Sequence, residues 1–204
     1  MTIRPMFPLE SVRLPGEELP LRIFEPRYGA LVRECLDGAM QFGVVLIAAG
    51  REVGGEDARC DVGSMAHIVD CQDLGEGRYR LECEMRERIR VTSWLDDDPY
   101  PRAEIRILDD FEWDESLVPL RNKAEAAVRA LLELATALTG EGWPSDIELA
   151  DEPVAACWQL AAIAPLGPLD QVELLASPDL ASMLVTLTEF AGGAEESFRG
   201  LYSD

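Results

Sequence analysis

His67 is the only histidine of this 204-residue chain, and so the only side chain whose unperturbed titration falls between pH 5 and 8. A catalytic histidine needs a nucleophile within hydrogen-bond reach and a third group to orient it. Ser64 is the nearest hydroxyl in sequence, but three residues along a strand point side chains to opposite faces. His67 is therefore read as a structural or surface histidine. Cys35, Cys60, Cys71, Cys83 and Cys157 are odd in number and include no C-x-x-C pair, which argues against a disulfide framework and a zinc site. They are expected as free thiols, packed as small apolar side chains in a reducing compartment. Asp96-Asp97-Asp98 could attract a divalent cation, but Asp-rich turns are ordinarily just solvated, and no His/Cys/Asp/Glu cluster has metal-ligand spacing. Gly75-x-Gly77 lies between two predicted strands, not ahead of a helix, so it is no dinucleotide loop. The only lysine, Lys123, follows Asn122 inside an amphipathic pattern, so the phosphate-binding G-x-x-x-x-G-K-[ST] pattern is absent. No catalytic residue, metal or cofactor is expected.

The charge excludes further classes. Eighteen basic residues face 39 acidic ones, a net of -21. Nucleic-acid affinity comes mostly from Lys and Arg displacing counterions, so a surface this acidic repels phosphate backbones; it also disfavours anionic membranes. No run approaches the ~20 apolar residues of a membrane span, and the N-terminus has no apolar signal core. A cytoplasmic protein is expected, with no nucleic-acid or membrane partner. The acidity is uneven: residues 1–110 carry 14 basic and 22 acidic residues, residues 111–204 carry 4 and 17.

The elements change character at the same point. Phe42–Ala49 is β-rich and apolar on both faces, as a central strand is. Val62–Cys71 is a second strand. Over Arg78–Val91, Tyr79, Leu81, Cys83, Met85, Ile89 and Val91 take one face; Arg78, Arg80, Glu82, Glu84, Arg86, Arg88 and Arg90 take the other. That is period two, broken at Glu87, where a bulge is expected. Asp73–Gly77 reads as a hairpin turn. Arg102–Leu108 alternates again, with Ala103, Ile105 and Ile107 inward, after a turn at Asp96–Pro99. One helix interrupts, opened by Pro26 with Glu25 on its N-cap side and closed at Asp37-Gly38. From Leu117 to Leu138 the period is near 3.6. Further helices are read over Pro153–Ile163, Leu169–Ala176, and from a Ser177 N-cap to about Phe190, with a frayed tail after Gly192-Gly193. The pattern is α+β: a small β-barrel holding one helix, over 1–110, then a bundle of about four helices, over 111–204.

The series Met6-Phe7-Pro8-Leu9, Leu14-Pro15-Gly16-Glu17 and Leu19-Pro20-Leu21-Arg22-Ile23-Phe24-Glu25-Pro26-Arg27-Tyr28, followed by Phe42–Ile47, resembles the substrate-binding N-terminal domain of Lon proteases. Asp61–Ile68, Gly77–Leu81 and Asp98–Glu104 continue the match, and Pro168–Leu175 carries it weakly into the helical half. The resemblance implies a PUA-like β pseudo-barrel with one inserted helix, followed by a C-terminal helical bundle. It implies a stand-alone, non-catalytic module that binds polypeptide, since neither the motor's nucleotide loop nor a Ser–Lys protease dyad is recognisable. The expected partners are unfolded or partly folded polypeptides, with a protease or chaperone beyond them, in an adaptor or quality-control role. The alternative is a regulatory protein-interaction domain without unfolded-peptide binding; a hydrolase is the least supported reading. Leu14, Pro15, Leu19, Pro20, Leu21, Phe24, Pro26 and Tyr28 are the candidate polypeptide-binding residues. They are apolar and loop-like, and packing of the barrel against its helix is the competing explanation for them.

Overall fold

The structure is a computed structural model that describes residues 2–49, 58–140 and 142–201. Gly50, at the end of the motif series, Glu141, in the break after the long amphipathic helix, and the last three residues of the tail lie outside these. The chain divides into two compact units, Met1–Asp110 and Phe111–Asp204.

Among the described residues the first unit is one six-stranded sheet with one helix. Its elements are β1 (Thr2–Leu9), β2 (Glu18–Ile23), α1 (Pro26–Asp37), β3 (Gln41–Ala49), β4 (Ala58–Gly75), β5 (Arg78–Trp94) and β6 (Arg102–Ile107). The order is β2-β5-β4-β3-β1-β6, and β6 pairs again with the far end of β5. The sheet thus curls back on itself, a pseudo-barrel and not a closed barrel, because β2 stays outside that circuit and, among the described residues, pairs with β5 alone. β1 carries two prolines in eight residues, Pro5 and Pro8, a composition that ordinarily demotes a run from central strand. It pairs antiparallel with β6 over Thr2–Pro5 and parallel with β3 over Met6–Leu9, so Pro5 sits where the partner changes.

β4 and β5 form the long arm of the sheet. Their loop is only Glu76-Gly77, with φ of 57° and 73°, the positive pair that a two-residue type I′ hairpin needs. Ser64 pairs with Arg88 and Ala66 with Met85, so β5 has one extra residue at the Glu87 bulge. The inward residues of β5 are buried as the alternation requires. Two expectations on the sheet are corrected. Arg88 is not on a solvated face but only 5% exposed: the chain leaving β6 covers it, with Leu108 N–H donating to the Arg88 carbonyl and Arg88 donating to the Asp109 carbonyl at 2.6 Å. Burial holds its guanidinium below the usual range, opposed by Asp110 and Asp109. Ile107 is half exposed, because β6 ends there.

In the second unit a single 3-10 turn over Glu115–Leu117 leads into α2 (Val118–Thr139), α3 (Pro153–Ile163), α4 (Pro168–Ala176) and α5 (Leu180–Leu201). Gly140, at φ 73°, closes α2. α2 and α5 pack together, and α3 and α4 each pack against α5. Phe111 stacks on Trp158 with ring centroids 5.1 Å apart. The last helix differs from expectation at both ends. Its cap is Asp179, whose carboxylate accepts from Ser182 N–H at 2.7 Å, whereas Ser177 is turned back onto the Glu173 carbonyl. It also runs through Gly192-Gly193 to Leu201, held beyond them by an Arg199–Glu195 pair one turn apart.

Candidate functional site

The motif residues around β2 build a turn, a bulge and a free edge. Leu14–Glu17 is a β-turn, with Glu17 N–H donating to the Leu14 carbonyl at 3.2 Å. Pro15 occupies its second position and Gly16, at φ 88°, its third, the residue types a type II turn calls for. The Glu17 carboxylate accepts from Leu14 N–H at 2.6 Å and pairs with Arg13. Gly16 and Glu17 then face Met85 together: Gly16 donates to its carbonyl and Met85 N–H donates to Glu17. This is a bulge with its glycine in the left-handed region. From that bond onward the ladder alternates, so Leu19, Leu21 and Ile23 turn their backbone groups to β5, and Glu18, Pro20 and Arg22 turn theirs to the open edge. Pro20, which has no N–H, sits where the ladder asks for none.

The candidate residues divide accordingly. Leu14 and Leu19 are buried, Tyr28 lies in the core against the Phe7 ring, 4.2 Å between centroids, and Leu21 packs partly against the same core. Pro15 is half-buried, while Pro20 and Pro26 are exposed. Phe24, between β2 and α1, is 74% exposed, more than any other large apolar side chain among the described residues. Leu19 and Leu21 have the same parity on β2, so both go inward, and the apolar surplus falls on Phe24. Beside it Glu25 is the N-cap of α1, but its carboxylate takes Arg27 at 2.9 Å and no backbone N–H.

Two contacts that sequence reading missed set the position of α1. A Cβ on Gly29 would lie 2.3 Å from the Gly77 carbonyl, so the helix rests directly on the β4–β5 hairpin. On its other side Glu34 accepts from the Tyr100 hydroxyl and pairs with Arg102 at 3.5 Å. Burial first, then the Glu34 bond, pushes the Tyr100 phenol up to about 12. A pKa raised on folding means stability that is complete below the unfolded value and is lost as pH rises through the folded one. Tyr100→Phe is expected to cost about 1.5–3 kcal/mol at neutral pH, the range for a hydrogen bond to a charged group. The gap to the parent should close as the medium is made alkaline toward about 12. Urea titrations at neutral and alkaline pH check this.

The residues with reactive potential are engaged in structural contacts. Ser64 donates to the Arg13 carbonyl at 3.0 Å, and His67 Nε2 meets Glu87 at 2.6 Å. Burial pushes the Glu87 carboxyl up, but its own backbone N–H and the His67 ring hold it below the ordinary range. Burial pushes Cys35 and Cys83 up to about 12 and Cys157 to about 11, so these thiols are protonated and unreactive at neutral pH. Asp97 binds Arg59 through two bonds, 2.6 and 3.1 Å, and that guanidinium also lies over Trp94. Among the described residues no group of three or more His, Cys, Asp or Glu could hold a metal ion, and no helix is long and apolar enough to cross a membrane.

The surface thus defined is a half-apolar edge on a folded scaffold. The family model for the substrate-binding domain of ATP-dependent protease La (LON) matches residues 3–191. The chain belongs to the LON substrate-binding domain family. The Lon protease of Anaeromyxobacter dehalogenans is 28% identical over 145 residues, 67% of this chain, and Lon protease 1 of Herpetosiphon aurantiacus is 23% identical over 195 residues, 89% of this chain. The chain spans only 17% and 23% of those two proteins. A Lon N-terminal domain protein from Xanthomonas campestris superposes with a TM-score of 0.65 at 27% identity, covering 93% of this chain and 99% of that one. The N-terminal domain of a Mycobacterium avium complex Lon protease gives the same TM-score at 13% identity, a likeness of fold.

Proposed function

We propose that the chain is a non-catalytic polypeptide-binding module that engages extended, partly unfolded segments at the β2 edge and the start of α1, and serves as an adaptor or quality-control factor for a protease or chaperone. The observation that carries this reading is Phe24, 74% exposed beside a strand edge that no other strand pairs with among the described residues. A site that accepts many sequences has to be shallow and apolar, with few directional groups. This edge offers N–H donors only at Glu18 and Arg22, because Pro20 between them has none. A client can therefore add at most a broken ladder, and apolar contact with Phe24, Pro20 and Pro26 leads. Each buried apolar side chain contributes about 1.5–3 kcal/mol before ordering costs, so two or three contacts give micromolar or weaker binding, which suits a module that releases its client. Neither ATP hydrolysis nor peptide cleavage is expected of it.

An NMR titration with an unfolded, apolar client tests this. Resonances of Glu18–Tyr28 should shift, and Phe24→Ser should weaken binding about tenfold, the loss of one apolar contact. Because Phe24 is exposed, the variant should melt within a few degrees of the parent. No shift at high micromolar client would leave the family fold intact but favour a regulatory interaction domain without client binding.

A further inference from the structure

The helical unit carries a groove between α4 and the second half of α5, with a cavity of about 480 Å³. Phe190, Gly193, Ala194, Ser197 and Phe198 line it from α5. They recur at i, i+3, i+4, i+7 and i+8, one face of a helix, and Asp170 from α4 and Glu189 complete the rim. The two rings form walls and the small residues a floor. Gly193 has no steric reason to be glycine: a Cβ there meets no atom within 4 Å, and glycine inside a helix costs about 1 kcal/mol relative to alanine. Its effect is to keep the floor low.

The charge of the groove is one-sided. Neither Asp170 nor Glu189 has an ion-pair or hydrogen-bond partner among the described residues. Residues 168–201 hold six acidic residues and one basic residue, Arg199, which pairs with Glu195 at 2.5 Å. Two aromatic walls with two unpaired carboxylates at the rim suit a cation on an apolar stem: the charged head meets the carboxylates and ring faces, and the methylenes lie on the rings. Gly193 and Ser197 are exposed, so the groove is open along its length and fits part of a chain better than an enclosed small ligand.

We propose that this groove is a second polypeptide-binding site, which takes a lysine or arginine side chain together with an apolar neighbour from a partner segment. It stands on the geometry of the helical unit and does not depend on the β2 edge. The net charge of -21 draws basic segments toward it over distances that salt shortens.

Fluorescence anisotropy of labelled peptides on the full chain tests it. One peptide carries a Leu-Arg-Lys-Leu core, and a control replaces its Arg and Lys with Gln. Gly193→Leu, whose Cβ would meet no atom within 4 Å, puts an isobutyl group into the groove and should hold or raise helix content by circular dichroism. It is expected to weaken the basic peptide about tenfold, as is the pair Asp170→Asn with Glu189→Gln; in a Phe24→Ser background, where the β2 edge is disabled, the same tenfold losses are expected. Affinity should fall as salt is added. Full affinity in the folded Gly193→Leu variant, equal binding of the Gln control, or loss only in Phe24→Ser would each overturn the proposal. The Phe24 variant also separates the two sites, since an apolar client without basic residues should respond to it and not to Gly193→Leu.

Discussion

Gly63→Ala is expected to lower the stability of the sheet unit by about 3 kcal/mol, the upper end of overpacking costs. Gly63 lies on β4 opposite Val45. A Cβ there would stand 2.0 Å from the Val44 carbonyl oxygen and 2.9 Å from a Val45 methyl. The near atom is backbone, so no rotamer change relieves it; the β3–β4 pair has to open. That pair carries Phe42 and Val44 in one apolar cluster of the sheet unit and Val45 and Met65 in another, all buried, so its displacement reaches both. Chemical denaturation with a single far-ultraviolet probe measures the loss. A variant within about 0.5 kcal/mol of the parent, the scatter of an ordinary surface change, would mean that the two strands lie farther apart than described.

Gly29→Ala is expected to cost about 2–3 kcal/mol by the same overpacking argument, and to weaken client binding as well. Here the clash is at 2.3 Å, with the Gly77 carbonyl at the tip of the β4–β5 hairpin. Both partners are backbone, so either the hairpin or α1 yields. α1 is anchored on its other side by Glu34 to Tyr100 and Arg102, so a shift tilts the helix and carries its first turn, next to Phe24, away from the β2 edge. Reduced stability with unchanged client affinity, read by the same NMR titration, would show that the binding surface does not depend on the seat of α1. The exposed Arg33 on the same helix, replaced by Ala as a control, should change stability within about 0.5 kcal/mol.

How far these features could be read from the residues alone depends on their range. Period two over Arg78–Val91, its break at Glu87 and the Pro26 helix start are local patterns, and each corresponds to an element with nearly the expected bounds. The seating of α1 on Gly77 is a contact between residues 48 apart in sequence, and nothing at Gly29 marks it. Arg88 was misplaced for the same reason: alternation says which side a strand residue takes, but not that Leu108–Asp110 will cover that side. The proline pair in β1 hid a central strand, because a strand that changes partner at Pro5 uses its backbone differently in its two halves. At the candidate site, composition identified an apolar stretch but not which residues it spends on the core. Parity along β2 decides that, and leaves Phe24 outside.

Pro20 has a consequence for the behaviour of the molecule in company. A protein that offers a sticky edge to misfolded chains is itself at risk of growing strand by strand with its own copies, since an open edge pairs as readily with a sibling as with a client. Pro20 removes the middle donor from that row, and Glu18 and Arg22 put charge on either side of it. Two such edges laid antiparallel would meet with a gap at the centre. The same residue that would limit how tightly a client is held at the proposed site would therefore also keep the module from seeding the aggregates it is proposed to handle.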